Sequence, residues 1–406
     1  MNKTKKRLVP ELRFPEFTNQ TEWSEKIIEN FTKAESSSVA FNKLELKDEG
    51  YPVYGADSIV GYIDHYQHKE EYISIVKDGS GVGRLNLCKK ESTILGTLIS
   101  LKSNDNVQYN INWMYYLLNT IDFSSYIKGG GIPHIYYSDY KNEKVLVPNP
   151  SEQLKIADCL TSLDDVIAAH TDKLENLKHY KKGLIQNLFP QEGETVPKLR
   201  FKEFEKDEKW VETDVEENCL VKGRIGYRGY TTEDLVSQGE GALVLGGKHI
   251  QNQLLELKDP TYLSWDKYYE SPEIMVEIGD IIFSQRGTLG DCAIIDKEIG
   301  PATINPSMVL LKNISCDARF LYYILIGDRI QGEVKKNMSM GAIPMLSQKQ
   351  IKEFPFLIPM NLKEQQKIAL LLSSVDDLIQ AETNTIEQLK THKKGLLQGL
   401  FPKIES

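Results

Sequence analysis

The segment Glu152-Gln-Leu-Lys-Ile-Ala-Asp-Cys-Leu-Thr-Ser-Leu163 recurs as Glu364-Gln-Gln-Lys-Ile-Ala-Leu-Leu-Leu-Ser-Ser-Val375. The likeness continues without a gap to Leu-Phe-Pro at residues 188–190 and 400–402, and 23 of the 39 positions are identical. Both copies have an asparagine shortly before the shared glutamate. An N-capping residue at one end and a proline at the other predict one long helix in each copy.

A second pair of similar segments lies ahead of the helices. Val9-Pro-Glu-Leu-Arg-Phe-Pro-Glu-Phe17 and Val196-Pro-Lys-Leu-Arg-Phe-Lys-Glu-Phe204 are related by a shift of 187, whereas the helices are related by a shift of 212. The chain is therefore an internal repeat in which similar frames enclose inserts of different length and sequence. The predicted parts are a first domain (1–147), a first spacer helix (148–190), a linker and start of the second repeat (191–210), a second domain (211–358) and a second spacer helix (359–402).

Apolar residues recur along both helices at alternating intervals of four and three residues. This 3.5-residue period is kept for about four heptads and predicts a coiled coil, with the gaps in the apolar series filled by polar residues. The predicted seam consists of Ile156, Leu160, Leu163, Ile167, His170, Leu174 and Leu177 in the first helix and of Ile368, Leu372, Val375, Ile379, Glu382, Ile386 and Leu389 in the second.

The two inserts have a different pattern. Short runs rich in β-branched residues, such as 72–79 and 279–284, are bounded by turn residues, and helical patches occupy matching places around 113–118 and 320–326. The predicted fold class is mixed α/β (α+β). Two similar modules are joined by two long antiparallel coiled-coil helices in a pseudo-twofold repeat.

Composition restricts the class of protein. The hydrophobic content of 40% and charged content of 26% are those of a folded globular chain. No apolar run reaches the ~18–20 residues of a membrane helix, and the N-terminus does not resemble a secretory signal. The five cysteines contain no C-x-x-C pair, which favours reduced thiols in the cytoplasm over a zinc site. We identify no catalytic set and no metal or cofactor motif.

The net charge of −9 argues against a protein that clamps DNA by itself, because proteins that hold duplex phosphates usually carry a basic surplus. Residues 24–147 contain 13 Lys/Arg against 16 Asp/Glu, and residues 211–358 contain 15 against 21. If the chain binds DNA, its charges must be segregated by face, or partner subunits must supply much of the phosphate affinity.

Each module is followed by Pro-x-x-x-Glu-Gln-x-x-Ile-Ala-x-x-Leu and a long helix that ends in Lys-Lys-Gly-Leu-x-Gln-x-Leu-Phe-Pro. This arrangement resembles the specificity subunits of type I restriction–modification systems over essentially the whole chain. The second proline, at 359, is one residue out of register with the first, at 148. The resemblance is carried by Glu152, Gln153, Ile156, Ala157, Leu160, Asp164 and Ile167, and by Glu364, Gln365, Ile368, Ala369, Leu372, Asp376 and Ile379.

The resemblance implies two target-recognition domains, each reading one half of a bipartite site in double-stranded DNA. It implies a non-catalytic subunit whose helices fix the spacing and dock two methyltransferase subunits, with restriction/translocase subunits joining through the complex. The assembled complex would be a DNA adenine methyltransferase and ATP-dependent endonuclease. We therefore expect S-adenosylmethionine, ATP and Mg on partner subunits and none in this chain. Separated half-sites favour antiparallel helices, with His170 and Glu382 within about one helical turn of each other.

Candidate DNA contacts lie in glycine-bearing turns. Residues 77–84 and 285–290 would let the backbone approach a phosphate while a long polar side chain reaches a base edge. Residues 222–230 interleave cations with aromatic rings on a glycine-rich backbone. An ordinary surface turn remains the alternative explanation for each segment. The candidates are Lys77, Ser80, Arg84, His134, Arg224, Tyr227, Arg228, Lys248, Gln285, Arg286 and Thr288.

Two other functions stay open at this point. A fused endonuclease–methyltransferase would need cofactor and ATP motifs that we do not find, and binding of S-adenosylmethionine by the chain alone would support it. A coiled-coil adaptor whose modules bind proteins is compatible with the acidic charge. Selection of one split motif from a random DNA library would distinguish a DNA reader from both.

Overall fold

The structure is a computed structural model that describes residues 9–338 and 344–402. It divides into two compact units: unit 1 contains the chain up to Asp172 and again from Thr383, and unit 2 contains Lys173–Glu382. Each long helix therefore contributes one part to each unit. This division differs from the boundaries expected from the sequence, and the limits of the two recognition domains stay a prediction.

The described residues of unit 1 form three small sheets. A four-stranded sheet has the order β2-β8-β5-β6, a three-stranded sheet has the order β4-β3-β7 with β3 and β7 parallel, and β1 pairs with β9. The strands are β1 (Ser24–Ile27), β2 (Thr32–Ser36), β3 (Tyr51–Tyr54), β4 (Ile59–Ile63), β5 (Tyr72–Val76), β6 (Leu85–Cys88), β7 (Thr93–Ile94), β8 (Leu98–Ser103) and β9 (Lys144–Val147). The helices are α1 (Ile111–Leu118), α2 (Tyr137–Tyr140) and the beginning of α3 (Pro150–Leu188).

Unit 2 contains the end of α3 and a second set of sheets. Their orders are β11-β20-β17-β18, β12-β16-β13-β19, β10-β21 and β14-β15, with β13 and β19 parallel. The strands are β10 (Val211–Asp214), β11 (Leu220–Gly223), β12 (Leu235–Val236), β13 (Gly241–Leu245), β14 (Ile250–Gln251), β15 (Leu254–Leu255), β16 (Tyr262–Ser264), β17 (Ile281–Ser284), β18 (Cys292–Ile294), β19 (Ala302–Ile304), β20 (Met308–Lys312) and β21 (Pro355–Ile358). The helices are α4 (Val215–Asn218), α5 (Trp265–Tyr269), α6 (Ala318–Ile326), α7 (Asp328–Asn337), α8 (Gln348–Lys352) and the start of α9 (Leu362–Leu400).

The internal repeat extends into the inserts, where the two sequences differ. The sheet β2-β8-β5-β6 has its counterpart in β11-β20-β17-β18, the parallel pair β3–β7 in β13–β19, and α1 in α6. Strands such as β5 and β17 are buried along their whole length, on both faces, as in sheets that are covered on both sides. The mixed α/β fold with two similar modules is confirmed.

Both long helices begin as their sequences predict. Asn149 caps α3, since its Oδ1 accepts a hydrogen bond of 2.9 Å from the amide of Glu152, and Pro150 is the first helical residue. Asn361 caps α9 through a bond of 3.1 Å from the amide of Lys363. Each helix has 39 residues and ends immediately before Phe-Pro.

Within each unit the helix segments run antiparallel. In unit 1, Lys393 near the end of α9 binds Asp164 near the start of α3 at 2.5 Å. In unit 2, Lys181 binds Asp376 at 2.6 Å and Lys173 binds Glu382 at 2.9 Å, so position rises on one helix as it falls on the other. Every predicted seam residue is buried or half-buried. The approach of His170 to Glu382 stays a prediction.

The core of each unit includes the end of a long helix. Leu400 at the end of α9 and the following Phe401 pack with Trp113 and Ile156 in unit 1, and Leu184 and Leu188 of α3 pack in the corresponding core of unit 2. No described helix carries an apolar stretch long enough to cross a bilayer. Within residues 9–338 and 344–402, no group of three or more His, Cys, Asp or Glu side chains is arranged to hold a metal ion.

Candidate nucleic-acid interface

In each unit the turn after a central strand pairs with the segment that precedes a long helix. The amide of Ile135 donates to the carbonyl of Lys77 at 2.8 Å in unit 1, and the amide of Leu346 donates to the carbonyl of Gln285 at 2.9 Å in unit 2. Lys77 directly follows β5 and Gln285 directly follows β17. The two glycine-bearing turns therefore occupy the same place in the repeated fold.

In unit 1 this arrangement brings several candidates together. The amide of Gly79 donates to Pro133 at 2.9 Å, and Lys128 and His134 exchange backbone bonds of 2.9 and 2.8 Å that close the loop between them. Lys77, Ser80 and His134 therefore lie on two fastened loops at one end of the sheet. Arg84 is exposed and its guanidinium is ion-paired with Asp57.

In unit 2 the turn 285–290 rests on the connection between β19 and β20. The amides of Gln285 and Arg286 donate to the carbonyl of Ser307 at 2.9 and 3.2 Å, and Gln285 Nε2 donates to Pro306 at 3.1 Å. This amide group is thus partly used within the protein. Arg286 and Thr288 are exposed. The turn presents one cation and one hydroxyl to solvent on a backbone held in place.

The loop after β13 lies beside the same connection. A Cβ on Gly246 would lie 2.4 Å from Asn305 Nδ2, so only glycine allows this approach. His249 is fully buried and its Nδ1 accepts the Gly246 amide at 3.0 Å; burial lowers the pKa of this imidazole and keeps it neutral. Lys248 is exposed, with its Nζ bound to Asp259 O at 2.5 Å and Thr261 Oγ1 at 3.1 Å.

The candidate Arg224 requires correction, because its side chain is only 9% exposed. Its guanidinium donates from Nε to Ile304 O at 3.2 Å and from Nη2 to Thr303 Oγ1 at 3.0 Å. Burial lowers the pKa of the group. A guanidinium committed to these acceptors supports the loop from inside, so we remove Arg224 from the residues proposed to touch DNA.

The neighbouring residues Tyr227 and Arg228 point outward. Tyr227 is 82% exposed, and the Arg228 guanidinium lies 5.5 Å from the centre of its ring. Arg228 Nη1 also lies 3.3 Å from both carboxylate oxygens of Glu273. The Glu273 carboxylate therefore holds the Arg228 side chain in place, whereas the ring of Tyr227 is largely exposed to solvent.

Asn305 and Ser307 were not among the candidates, although they connect the loops of unit 2. Asn305 Oδ1 accepts the Ser307 amide at 3.0 Å and the Ser307 hydroxyl at 2.6 Å, an Asx turn that fixes the connection. The available signal was the sequence Asn-Pro-Ser between two β-rich runs. It predicts a turn, but the convergence of three loops on that turn depends on the order of strands in the sheets.

A family model described as the type I restriction modification DNA specificity domain matches residues 20–179 and 261–391, more than half of the chain. The chain is 25% identical over 342 residues to the type I restriction enzyme MjaVIII specificity subunit of Methanocaldococcus jannaschii, covering 82% of this chain and 78% of that protein.

Solved structures share the fold. The S subunit of a type I restriction–modification system from M. genitalium superposes with a TM-score of 0.68 at 18% identity, over 98% of this chain and all of that one. A chain described under complex assembly and conformational transition of the type I R-M system matches with a TM-score of 0.53 at 13% identity, over 92% of this chain and 96% of that one.

Proposed function

The chain belongs to the family of type I restriction–modification DNA specificity subunits, and we propose that each of its two units reads one half of a bipartite DNA site. The observation that carries this proposal is the pair of equivalent strand ends at Lys77 and Gln285, where the same backbone bond supports turns of different sequence. Equivalent supports with different side chains suit two unlike half-sites.

We further propose that the chain positions catalytic partners and performs no chemistry itself. Two methyltransferase subunits would dock on the long helices, with S-adenosylmethionine, ATP and Mg held by the methyltransferase and restriction/translocase subunits in the cytoplasm. The similarity to a chain described under complex assembly supports the existence of partners. The net charge of −9 supports a complex in which the partner subunits contribute much of the affinity for DNA phosphates.

The test is a methylome of one host with and without this chain, co-expressed with its neighbouring methyltransferase gene. We expect methylated adenines in one split motif that disappears when the chain is omitted. Replacement of residues 211–358 by the equivalent part of a relative should change one half of the motif only. A protein-binding adaptor would leave the methylome unchanged, and that result would refute the proposal.

A further inference from the structure

The loop between β11 and β12 presents an aromatic ring on a fastened support. Tyr227 lies within a short 3₁₀ turn, Gly226–Arg228, and is 82% exposed. The turn is closed by a bond of 2.9 Å from the Arg228 amide to the Ile225 carbonyl. A tyrosine held in this way loses little conformational freedom when it contacts a partner.

Two arginines fasten the loop on either side of the ring. Arg224 is buried against β19, and its guanidinium also lies 5.1 Å from the centre of the Tyr230 ring. Arg228 is held by Glu273 at 3.3 Å. The two side chains fix both ends of the segment that carries Tyr227.

The hydrogen-bond acceptors of Arg224 are neutral. They are the carbonyls of Ile304 and Arg228 and the hydroxyl of Thr303. The carboxylates of Glu273 and Glu270 lie close enough to act on this charge, so the role of Arg224 is to support the loop through its hydrogen bonds.

The loop lies beside the turn that carries Arg286. Arg224 bonds to Ile304, the residue before Asn305, and the backbone of Arg286 bonds to Ser307. The first segment is therefore anchored at the end of β19 and the second on the connection that follows it. We expect a duplex that contacts Arg286 to pass close to Tyr227.

We infer that Tyr227 is an aromatic wedge that stacks against one base step of the half-site read by unit 2, and that Arg224 is its positioning residue. Apolar and aromatic side chains that enter a duplex partly unstack a base step, and each stacked base contributes substantially to affinity. The inference rests on the proposed function, since it requires that unit 2 reads DNA.

The test uses the chain assembled with its methyltransferase partners and duplexes that carry the methylated motif. 2-Aminopurine, whose fluorescence rises when it is unstacked, is placed at each position of the unit 2 half-site in turn. With the wild type and with Tyr227→Phe we expect a rise at one position. With Tyr227→Ala we expect that rise to disappear and specific affinity to fall by about 10- to 100-fold, while binding to unrelated DNA is unchanged.

Unchanged fluorescence and affinity in Tyr227→Ala would overturn the inference, and so would a loss in Tyr227→Phe equal to that in Tyr227→Ala. A rise at the methylated adenine that survives Tyr227→Ala belongs to the methyltransferase and supplies an internal control. If the wild type selects no motif, the proposed function fails instead, so the two failures are distinguishable.

The role of Arg224 is tested by coupling. Arg224→Gln keeps a hydrogen-bonding group but removes the charge and the bidentate reach. If Arg224 acts through Tyr227, the double variant with Tyr227→Ala should bind specific DNA no more weakly than Tyr227→Ala alone. Additive losses would contradict a positioning role. Unchanged recognition of the unit 1 half-site in the same variants shows that the complex is intact.

Discussion

Arg13 donates two parallel hydrogen bonds of 2.8 Å, from Nε and Nη2, to the two carboxylate oxygens of Glu152. Arg200 forms the same two bonds, again at 2.8 Å, with Glu364. In each pair the arginine belongs to the first repeated block and the glutamate to the second. The bidentate geometry is demanding, and it gives a physical reason for the presence of both blocks in each half of the chain.

The first prediction is that Arg200→Ala lowers the free energy of unfolding by about 3–5 kcal/mol, because the Glu364 carboxylate would stay buried without its partner. The Glu364 side chain is 1% exposed and that of Arg200 is 7% exposed. Chemical denaturation of the purified chain measures the effect.

The matched control is Arg329→Ala. Its partner Glu212 lies at 3.0 Å, but the side chains are 35% and 69% exposed. We expect a change of about 0–1 kcal/mol, since exposed pairs contribute little. Equal effects of the two variants would show that the buried pair has no special role.

The two halves of the chain are also alike at the ends of their long helices. The amide of Leu12 donates to the carbonyl of Gly399 at 2.9 Å, and the amide of Leu199 donates to the carbonyl of Asn187 at 2.8 Å. In unit 2 these two residues are joined through residues 188–198. In unit 1 they belong to opposite ends of the described chain.

A circular permutant follows as the second prediction. Pro402 would be joined to Val9 through the five residues found at 191–195, and the chain would be opened after Gly193. This spacing reproduces the connection between Asn187 and Leu199 residue for residue. We expect a melting temperature within a few degrees of the wild type and the same methylation motif. If the soluble permutant, assembled with its methyltransferase partners, did not direct methylation to that motif, the equivalence would be contradicted.

The two long helices were predicted well from the sequence because their pattern is periodic and occurs twice. The caps, the seam and the terminal prolines depend on neighbouring residues only. The structural role of the Glu-Gln pair in each long helix could not be predicted from the sequence. Gln153 Oε1 accepts the amide of Asn110 at 3.0 Å and Gln365 Oε1 accepts that of Asp317 at 2.9 Å, so each glutamine fastens a long helix to the N-terminus of a module helix. Such a bond joins residues that are far apart in the sequence, so it can be recognised only in the folded chain.

The loops were predicted less well because the tertiary structure decides which of their side chains face the interior and which face solvent. Arg224 and Arg228 are four residues apart in a segment that reads as a basic, aromatic surface loop. One is buried against β19 and the other is held by an acid from a distant segment. No local pattern distinguishes an arginine that faces inward from one that faces solvent, because strand order decides which carbonyls lie beneath the loop.

Thiol reactivity gives the third prediction. Burial raises the pKa of Cys88 to about 11 and those of Cys219 and Cys316 to about 12, and it also raises that of the fully buried Cys292. At pH 7.5 these thiols are protonated and should react with iodoacetamide only after unfolding. Cys159 and Cys316 are both half-buried, and we expect Cys159 to react first because burial raises the pKa of the Cys316 thiol; Cys159→Ser is the control. Rapid native labelling of Cys88 would contradict its placement.

The fourth prediction is that the length of the two long helices sets the number of base pairs between the half-sites. Seven residues inserted after Asp172 and seven after Glu382 preserve the heptad pattern in both helices and add about 10 Å, close to three base-pair steps. We expect a methylation motif with both half-sites intact and a spacer longer by about three base pairs. The same insertion in the loop 191–195 should leave the spacer unchanged. An unaltered spacer after the double insertion would show that the helices do not set the distance.

The last prediction assigns a role to Arg286, an exposed cation on a turn whose backbone is bonded to Ser307 and pairs with Met345. If its guanidinium forms two bonds with a guanine edge, Arg286→Ala should reduce discrimination at one position of the unit 2 half-site by roughly 1–3 kcal/mol, with little change in binding to unrelated DNA. If it holds only a phosphate, affinity should fall equally for all sequences and the salt slope should decrease by about one.

Arg319→Ala is the control, since that guanidinium is 46% exposed and lies 3.9 Å from Asp296. The rigid turn favours base reading, because a fixed backbone aims the side chain at one edge. Titration of the assembled complex with specific and unrelated duplexes at several salt concentrations separates the two roles, and an Arg286→Ala complex that matches the Arg319→Ala complex in every titration would exclude both.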